Sequence, residues 1–218
     1  MRRPNHPVFA FVYDWLAAPA QRWEARYREE LCAGARGRVL ELGAGTGLNF
    51  AHYRSARRVV AVEPEPHMLR RAARRAAEAP VPVTLVAAVA EALPLRDGAF
   101  DAVVCSLVLC SVRDLGRALG ECRRVLAPQG ELRLYEHVRS PRPGVARLQD
   151  RLERPWRRLA GGCHPNRDTV GTLRAQGFRV EVRAFDPPVL GGPLLPHVLG
   201  VARPAAADVA GPAGPGPP

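Results

Sequence analysis

The chain has 218 residues, enough for one domain with a full core. Lys and Arg total 32 against 21 acids, yet every basic residue is arginine amid abundant Ala, Gly and Pro, the mark of a GC-rich coding bias rather than of a nucleic-acid surface. No lysine/aromatic interleaving or zinc-finger spacing accompanies that charge, no secretory apolar region follows residues 1–7, and no apolar run approaches the roughly 18 residues of a membrane span, so a nucleic-acid partner, an exported protein and an integral membrane segment are not expected.

Phe9 to Leu31 carries Phe9, Val12, Tyr13, Leu16, Trp23, Tyr27 and Leu31 and is broken at Pro19. It predicts two short amphipathic helices covering one face of a sheet. Val39 to Leu42 reads as a buried strand, apolar around the single carboxylate of Glu41. Gly43, Gly45 and Gly47 follow at alternate positions and predict a sharp turn, with Thr46 capping a helix that runs towards His52. Such a turn offers backbone N–H groups to an anionic ligand. A second strand, Val59 to Val62, ends in Glu63, twenty residues after Gly43, where a carboxylate is placed to accept both hydroxyls of a ribose. A dinucleotide fingerprint would need glycine at position 48, which is Leu48.

A helix over Pro66 to Glu78 and a strand over Val83 to Ala87 come next. Phe100 to Cys105 is near-continuously apolar, as a strand covered on both faces should be. Its end, Cys105 with Ser106 to Ser111, lies at the carboxyl edge where open α/β sheets bind ligands. Asp114 to Leu126 predicts a helix stopped by Pro128-Gln129-Gly130, and Glu131 to Val138 a fifth strand delivering Glu136 and His137 to the same edge. In 141–165 the residues Val145, Leu148, Leu152, Trp156 and Leu159 share one helix face. From Arg139 to Arg183 eleven arginines stand against four acids. This basic insertion is expected to select substrate as active-site cover, with ordinary packing on the sheet or weak contact with an anionic membrane surface as alternatives. Asn166 is expected to cap a last helix ended by Gly177, and Phe178 to Phe185 and His197 to Ala202 to be the final strands. The domain thus runs over 8–203, between a tail at 1–7 and a disordered Ala/Gly/Pro tail at 204–218. The cysteines Cys32, Cys105, Cys110, Cys122 and Cys163 are odd in number and lack any C-x-x-C pair. They read as reduced thiols in a cytoplasmic protein, and no metal ligand is expected.

Alternating strands and helices give a doubly wound α/β fold with a seven-stranded sheet. The run V-L-E-L-G-A-G-T-G with Glu63 downstream resembles the first two motifs of class I S-adenosylmethionine-dependent methyltransferases, over most of the chain. Three further stretches, V-V-C-S-L-V-L-C-S-V (103–112), R-R-V-L-A-P-Q-G (123–130) and Y-E-H-V (135–138) followed by W-R-R-L-A-G-G-C (156–163), resemble the methyltransferase-like 7 family of thiol S-methyltransferases. The N-terminal hydrophobic anchor of that family is not expected here. The resemblance implies S-adenosyl-L-methionine as cofactor and a small-molecule acceptor, possibly a thiol; alternatives are a phospholipid or amine acceptor at a membrane surface, or a non-catalytic cofactor-binding domain. It implies that Glu41, Gly43, Gly45, Thr46 and Gly47 hold the methionine part and Glu63 the ribose. Relatives carry an acid at the place of Val89 for the adenine amine, so Ala90, through its N–H, and Glu91 are the candidates here, Glu91 being equally suited to a capping role. Tyr13 is implied as a lid contact, and Cys105 as a cofactor neighbour. His137 is suited in kind and place to take a thiol's proton, with a structural histidine as the alternative.

Overall fold

A computed structural model describes residues 23–188 and 191–205. Among them, seven strands form one sheet: β1 (Gly37–Leu42), β2 (Ala56–Val62), β3 (Val83–Val86), β4 (Phe100–Ser106), β5 (Leu126–His137), β6 (Phe178–Phe185) and β7 (His197–Pro204). Their order is β3-β2-β1-β4-β5-β7-β6. The first five run parallel, and β7 is antiparallel to both β5 and β6. Helix α1 occupies 23–33, followed by α2 (Pro66–Ala77), α3 (Leu115–Val125), α4 (Pro143–Leu159) and α5 (Thr169–Ala175).

Strand alternation sends successive side chains to opposite layers. Leu40 and Leu42 of β1 enter the core shared with Leu115, Leu119 and Cys122 of α3 and Leu173 of α5. Val39 faces the other core, with Tyr27 and Leu31 of α1, Ala72 of α2, Phe50 and Tyr53. Each strand of the parallel centre is therefore buried on both faces, which explains its apolar runs. Strand order reverses between β1 and β4, so their carboxyl ends splay apart and leave a crevice there.

Several local expectations shift. The glycine turn leads into successive turns over 45–49 and a short 3-10 segment, Phe50–His52, rather than an α-helix. The residue before that segment, Asn49, makes no side-chain cap, because its Oδ1 accepts from Arg28 and its Nδ2 donates to Glu41. Asp168, not Asn166, caps α5, accepting from the N–H of Gly171, while the Asn166 side chain donates to Asp150. Strand β7 runs through Pro204, and the N–H of Ala205 donates to Gly177 O, so the ordered sheet passes the expected boundary at 203. Tyr13 and most of the expected N-terminal helices lie outside the described residues.

The largest difference is in α4. The stripe expected to cover the active site does so only at its C-terminal end, where Trp156 and Leu159 border the cavity at the sheet's carboxyl edge, while Leu148, Leu152 and most of Leu159, at 82%, are exposed. Ala146 and Gln149 are the buried residues. The reason is polar. Gln149 accepts from the N–H of Ser140 and donates to Val138 O and Leu194 O, satisfying loop backbone that would otherwise be buried unpaired. That anchor fixes the rotation of the helix and turns the leucines outward.

Candidate cofactor and acceptor site

A cavity of about 850 Å³ lies over the crevice. At one end it is floored by the turn after β1. Gly43, Gly45 and Gly47 all have positive φ, 63°, 57° and 83°, a region that side chains disfavour. A Cβ on Gly43 would stand 2.1 Å from Val108 Cγ2, so this glycine lets the β1 and β4 loops meet. A Cβ on Gly45 would meet nothing within 4 Å and would point into open space. Glu63, just past β2, accepts from the Gly45 N–H and the Glu65 N–H, both at 2.9 Å. Burial raises its pKa against the pull of those two amides.

Glu41 enters the same wall from β1. Its Oε1 accepts from Asn49 Nδ2 at 3.0 Å, and its Oε2 is buried without a hydrogen-bond partner among the described residues. Burial pushes its pKa up to about 7, opposed by the nearby Tyr53 hydroxyl, the Asn49 amide and the Arg28 guanidinium. Arg28 of α1 completes a buried chain, donating to Asn49 Oδ1, Ser106 Oγ and Glu24 Oε2. Glu24, Arg28 and Asn49 all line the cavity. Sequence reasoning missed them: Arg28 is one arginine among many, and only the fold brings α1 over the turn. Thr46 lines the cavity as expected, but its carbonyl accepts from Arg75 and no α-helix begins there.

Ala90 and Glu91 form another wall. Glu91 Oε1 accepts from the N–H groups of Arg113 (2.8 Å) and Asp114 (3.3 Å). Its carboxylate ties down the loop after β4, the capping role named as its alternative. Cys105 is not at the cofactor. It is fully buried in the core, because alternation on β4 turns it towards α3.

The opposite end is made by Cys110, His137 and Cys163. Each offers one donor atom, and these atoms lie within 4.8 Å of one another. His137 Nε2 is 3.0 Å from Cys163 Sγ. The Trp156 Nε1–H donates to Cys163 Sγ at 3.1 Å. Leu107, with φ 54°, bends the chain out of β4 to start the Cys110 loop. Glu136 Oε1 accepts from the N–H groups of Val108 and Leu109, Arg167 Nη1 donates to Leu109 O and Val112 O, and the His164 N–H donates to Cys110 O. The loop is thereby held from three sides. Cys163 and His137 hold Cys110 well below the usual thiol range, overcoming its burial, while Cys163 is pushed up by its hydrogen bond to Cys110. Burial alone would lower His137, but the charge and hydrogen bond of Cys110 outweigh it and raise its pKa. His137 therefore sits where expected, at the cavity's carboxyl edge, but inside a sulfur cluster rather than alone. Cys110 and Cys163 were read only as reduced thiols. The available signal was that L-V-L-C, E-H and G-G-C each end on an atom of this cluster.

A seven-stranded sheet in this order, with such a cavity over a glycine turn, has the fold of a class I methyltransferase. A family model described as "Methyltransferase domain" matches residues 40–134. Human thiol S-methyltransferase TMT1B is 38% identical over 176 residues, 78% of this chain and 72% of that protein. Human thiol S-methyltransferase TMT1A is 33% identical over 201 residues, 89% of this chain and 82% of that protein. Among solved structures, the DhpI-SAM-HEP complex aligns with a TM-score of 0.67 at 23% identity, covering 91% of this chain and 94% of that one. The chain belongs to the S-adenosylmethionine-dependent methyltransferases, in the family of TMT1A and TMT1B, and its cofactor is S-adenosyl-L-methionine.

Proposed function

We propose that the enzyme methylates the sulfur of a small-molecule thiol. The observation that carries this is one cavity running from the glycine turn and Glu63 to the Cys110–His137–Cys163 cluster. The similarity to proteins named thiol S-methyltransferases supports it. The chain's residues suit the cofactor: Gly45 leaves its Cβ position open to the cavity, and Glu41 lines it with a buried Oε2 that has no hydrogen-bond partner among the described residues. Bound there, S-adenosyl-L-methionine supplies a methyl group already activated on a sulfonium sulfur. Glu41 meets the ammonium, Arg28 faces the carboxylate in place of the helix end expected at Thr46, Glu63 accepts from the ribose hydroxyls, and Ala90 borders the base. The protein's remaining task is to align the acceptor in line with the breaking bond and exclude water. His137 and the two sulfurs border the acceptor and receive its proton. Buried, unbridged cysteines suit a reducing compartment such as the cytoplasm.

The test is a labelled-cofactor screen of thiols, phospholipid amines and catechols with mass analysis of products. Methylated thiol is the expected product; methyl transfer to lipid amines alone would overturn the proposal. A second reading adds peripheral contact of α4 with an anionic membrane, favoured by the exposed stripe Leu148, Leu152, Trp156 and Leu159 among Arg147, Arg151, Arg154 and Arg158. No helix of the described residues is long and apolar enough to cross a membrane.

A further inference from the structure

The geometry points to a zinc site made by Cys110, His137 and Cys163, with its fourth position open to the acceptor thiol. This rests on the thiol reading for its catalytic part, not for its metal binding. Two thiols and one imidazole form a soft donor set that favours Zn(II) over hard cations. A tetrahedral zinc ion, about 2.3 Å from sulfur and about 2.0 Å from imidazole nitrogen, sets its donors roughly 3.5–3.8 Å apart. The three donor atoms already fall within 4.8 Å of one another, before any ion draws them in.

Burial and one outer-sphere donor suit the site to a metal, although His137 Nδ1 has no hydrogen-bond partner among the described residues. Cys110 and Cys163 are buried at 1% and 6% exposure, and His137 at 9%. The Trp156 indole, a donor only, aims its N–H at Cys163 Sγ and would stabilise a ligating thiolate. Glu136 and Arg167 fix the loop that carries Cys110 through four backbone contacts, so one ligand is preplaced. Two thiolates cancel the charge of Zn(II), so the metal-loaded site is neutral among its buried ligands. The described residues gather three ligands into this cluster, the number typical of a catalytic zinc site rather than a closed structural one.

Such an ion solves the chemical problem of the acceptor. A thiol with free pKa of about 8.5 is mostly protonated at neutral pH. Coordination at the fourth position breaks its S–H bond, releases the proton to solvent and leaves a zinc-held thiolate. A lone pair on that sulfur then forms the new S–CH3 bond while the sulfonium C–S bond breaks, its electron pair passing to the cofactor's sulfur. The thioether product is neutral and a poorer ligand, so it leaves. In this form Cys110 and His137 are ligands rather than proton acceptors.

The experiment begins with metal alone. The reduced full-length protein, stripped with chelator, is titrated with zinc against a chromophoric competitor and with cobalt(II) for spectroscopy. Expected are about one equivalent of zinc and a cobalt spectrum with sulfur-to-metal charge transfer and intense tetrahedral bands. The Cys110→Ser/Cys163→Ser double variant should lose both, and Trp156→Phe should weaken zinc about 10–100-fold. Retained S-adenosylhomocysteine binding by the double variant shows that it folds. No zinc binding by reduced protein, or binding unchanged in the double variant, overturns the site; a Cys110–Cys163 disulfide without zinc affinity does so too. Thiol turnover should fall at least about tenfold in stripped enzyme and return with zinc; turnover unaffected by stripping overturns the catalytic role. Zinc bound without any thiol methylation would overturn the thiol reading and leave the metal site standing.

Discussion

At the cofactor end of the cavity, Glu41, Gly43, Gly45 and Glu63 come from one continuous stretch, β1, β2 and the segment between them, while Gly47 packs behind the turn on Phe50. At the acceptor end, Cys110, His137 and Cys163 come from three segments that meet only because β4 and β5 are neighbours and α4 folds back over their edge. The first end is specified by backbone conformation, since positive φ at alternate residues demands glycine wherever the fold places it. The second is specified by tertiary position, and its residue types acquire meaning only together. Mutations should therefore act differently at the two ends, through local strain and ligand contacts at one and through assembly at the other.

The sharpest break in that comparison should come within the glycine turn itself. Gly43→Ala adds left-handed strain of about 1–2 kcal/mol and a Cβ 2.1 Å from Val108, with overpacking worth about 1–3 kcal/mol. A fall in melting temperature with loss of activity is expected. Gly45→Ala has the same kind of strain but no clash, so thermal melts should show a smaller loss and calorimetry a specific loss of cofactor affinity. Equal destabilisation by the two would contradict the assignment of Gly45 to the cavity.

Glu41 should show a trade between stability and binding. Its folded pKa of about 7 exceeds the ordinary 4.5, so the folded state holds an extra proton between those values. Stability from this group is then present at pH 4.5 and lost as pH rises to 7, about 3 kcal/mol by linkage. Glu41→Gln should be more stable than wild type above pH 7 and no more stable near pH 4.5, by denaturant melts across that range. Cofactor affinity should move oppositely in wild type, rising through pH 7 as the carboxylate forms; a pH-independent affinity difference between the two proteins would remove Glu41 from the ammonium.

For Glu63→Ala the expected loss is about 1.5–3 kcal/mol of cofactor affinity, read by calorimetry with S-adenosylhomocysteine. Unchanged affinity would put the ribose elsewhere. Smallest of all, Leu152→Ser on the exposed face of α4 should change stability by less than about 0.5 kcal/mol. Its value lies in a vesicle sedimentation assay. Loss of salt-sensitive binding to anionic vesicles would support the membrane reading, and wild-type protein that never sediments would end it.

These contrasts also explain what the amino-acid sequence could tell. The sheet was legible because its central strands are buried on both faces and most strands begin or end at a glycine, proline or acid. Strand β6 and the start of α3 at the Asp114 cap fall where patterning puts them. Thr46 misled because its hydroxyl suits a helix cap, but the three glycines leave the chain turning until Phe50. In α4 the leucine period described a real stripe, yet period alone does not say which side faces the sheet. Gln149 decided that by pairing with Ser140, Val138 and Leu194, and a polar residue is not read as an inward anchor. Cys105 and Cys110, five residues apart, looked alike in an apolar run. Strand alternation sends one to the core, and the turn at Leu107 sends the other to the cavity.

Trp156 leaves a last consequence. Its ring is 36% exposed on α4 while its indole nitrogen touches Cys163, so a single chromophore spans solvent and the deepest part of the acceptor pocket. Indole emission is sensitive to both polarity and adjacent sulfur. Trp23, the other tryptophan among the described residues, packs edge-on against Tyr27 and His197 and makes no such contact. Subtracting the emission of Trp156→Phe from that of wild type isolates a native optical gauge, by which filling of the pocket can be timed in unlabelled enzyme, turnover by turnover.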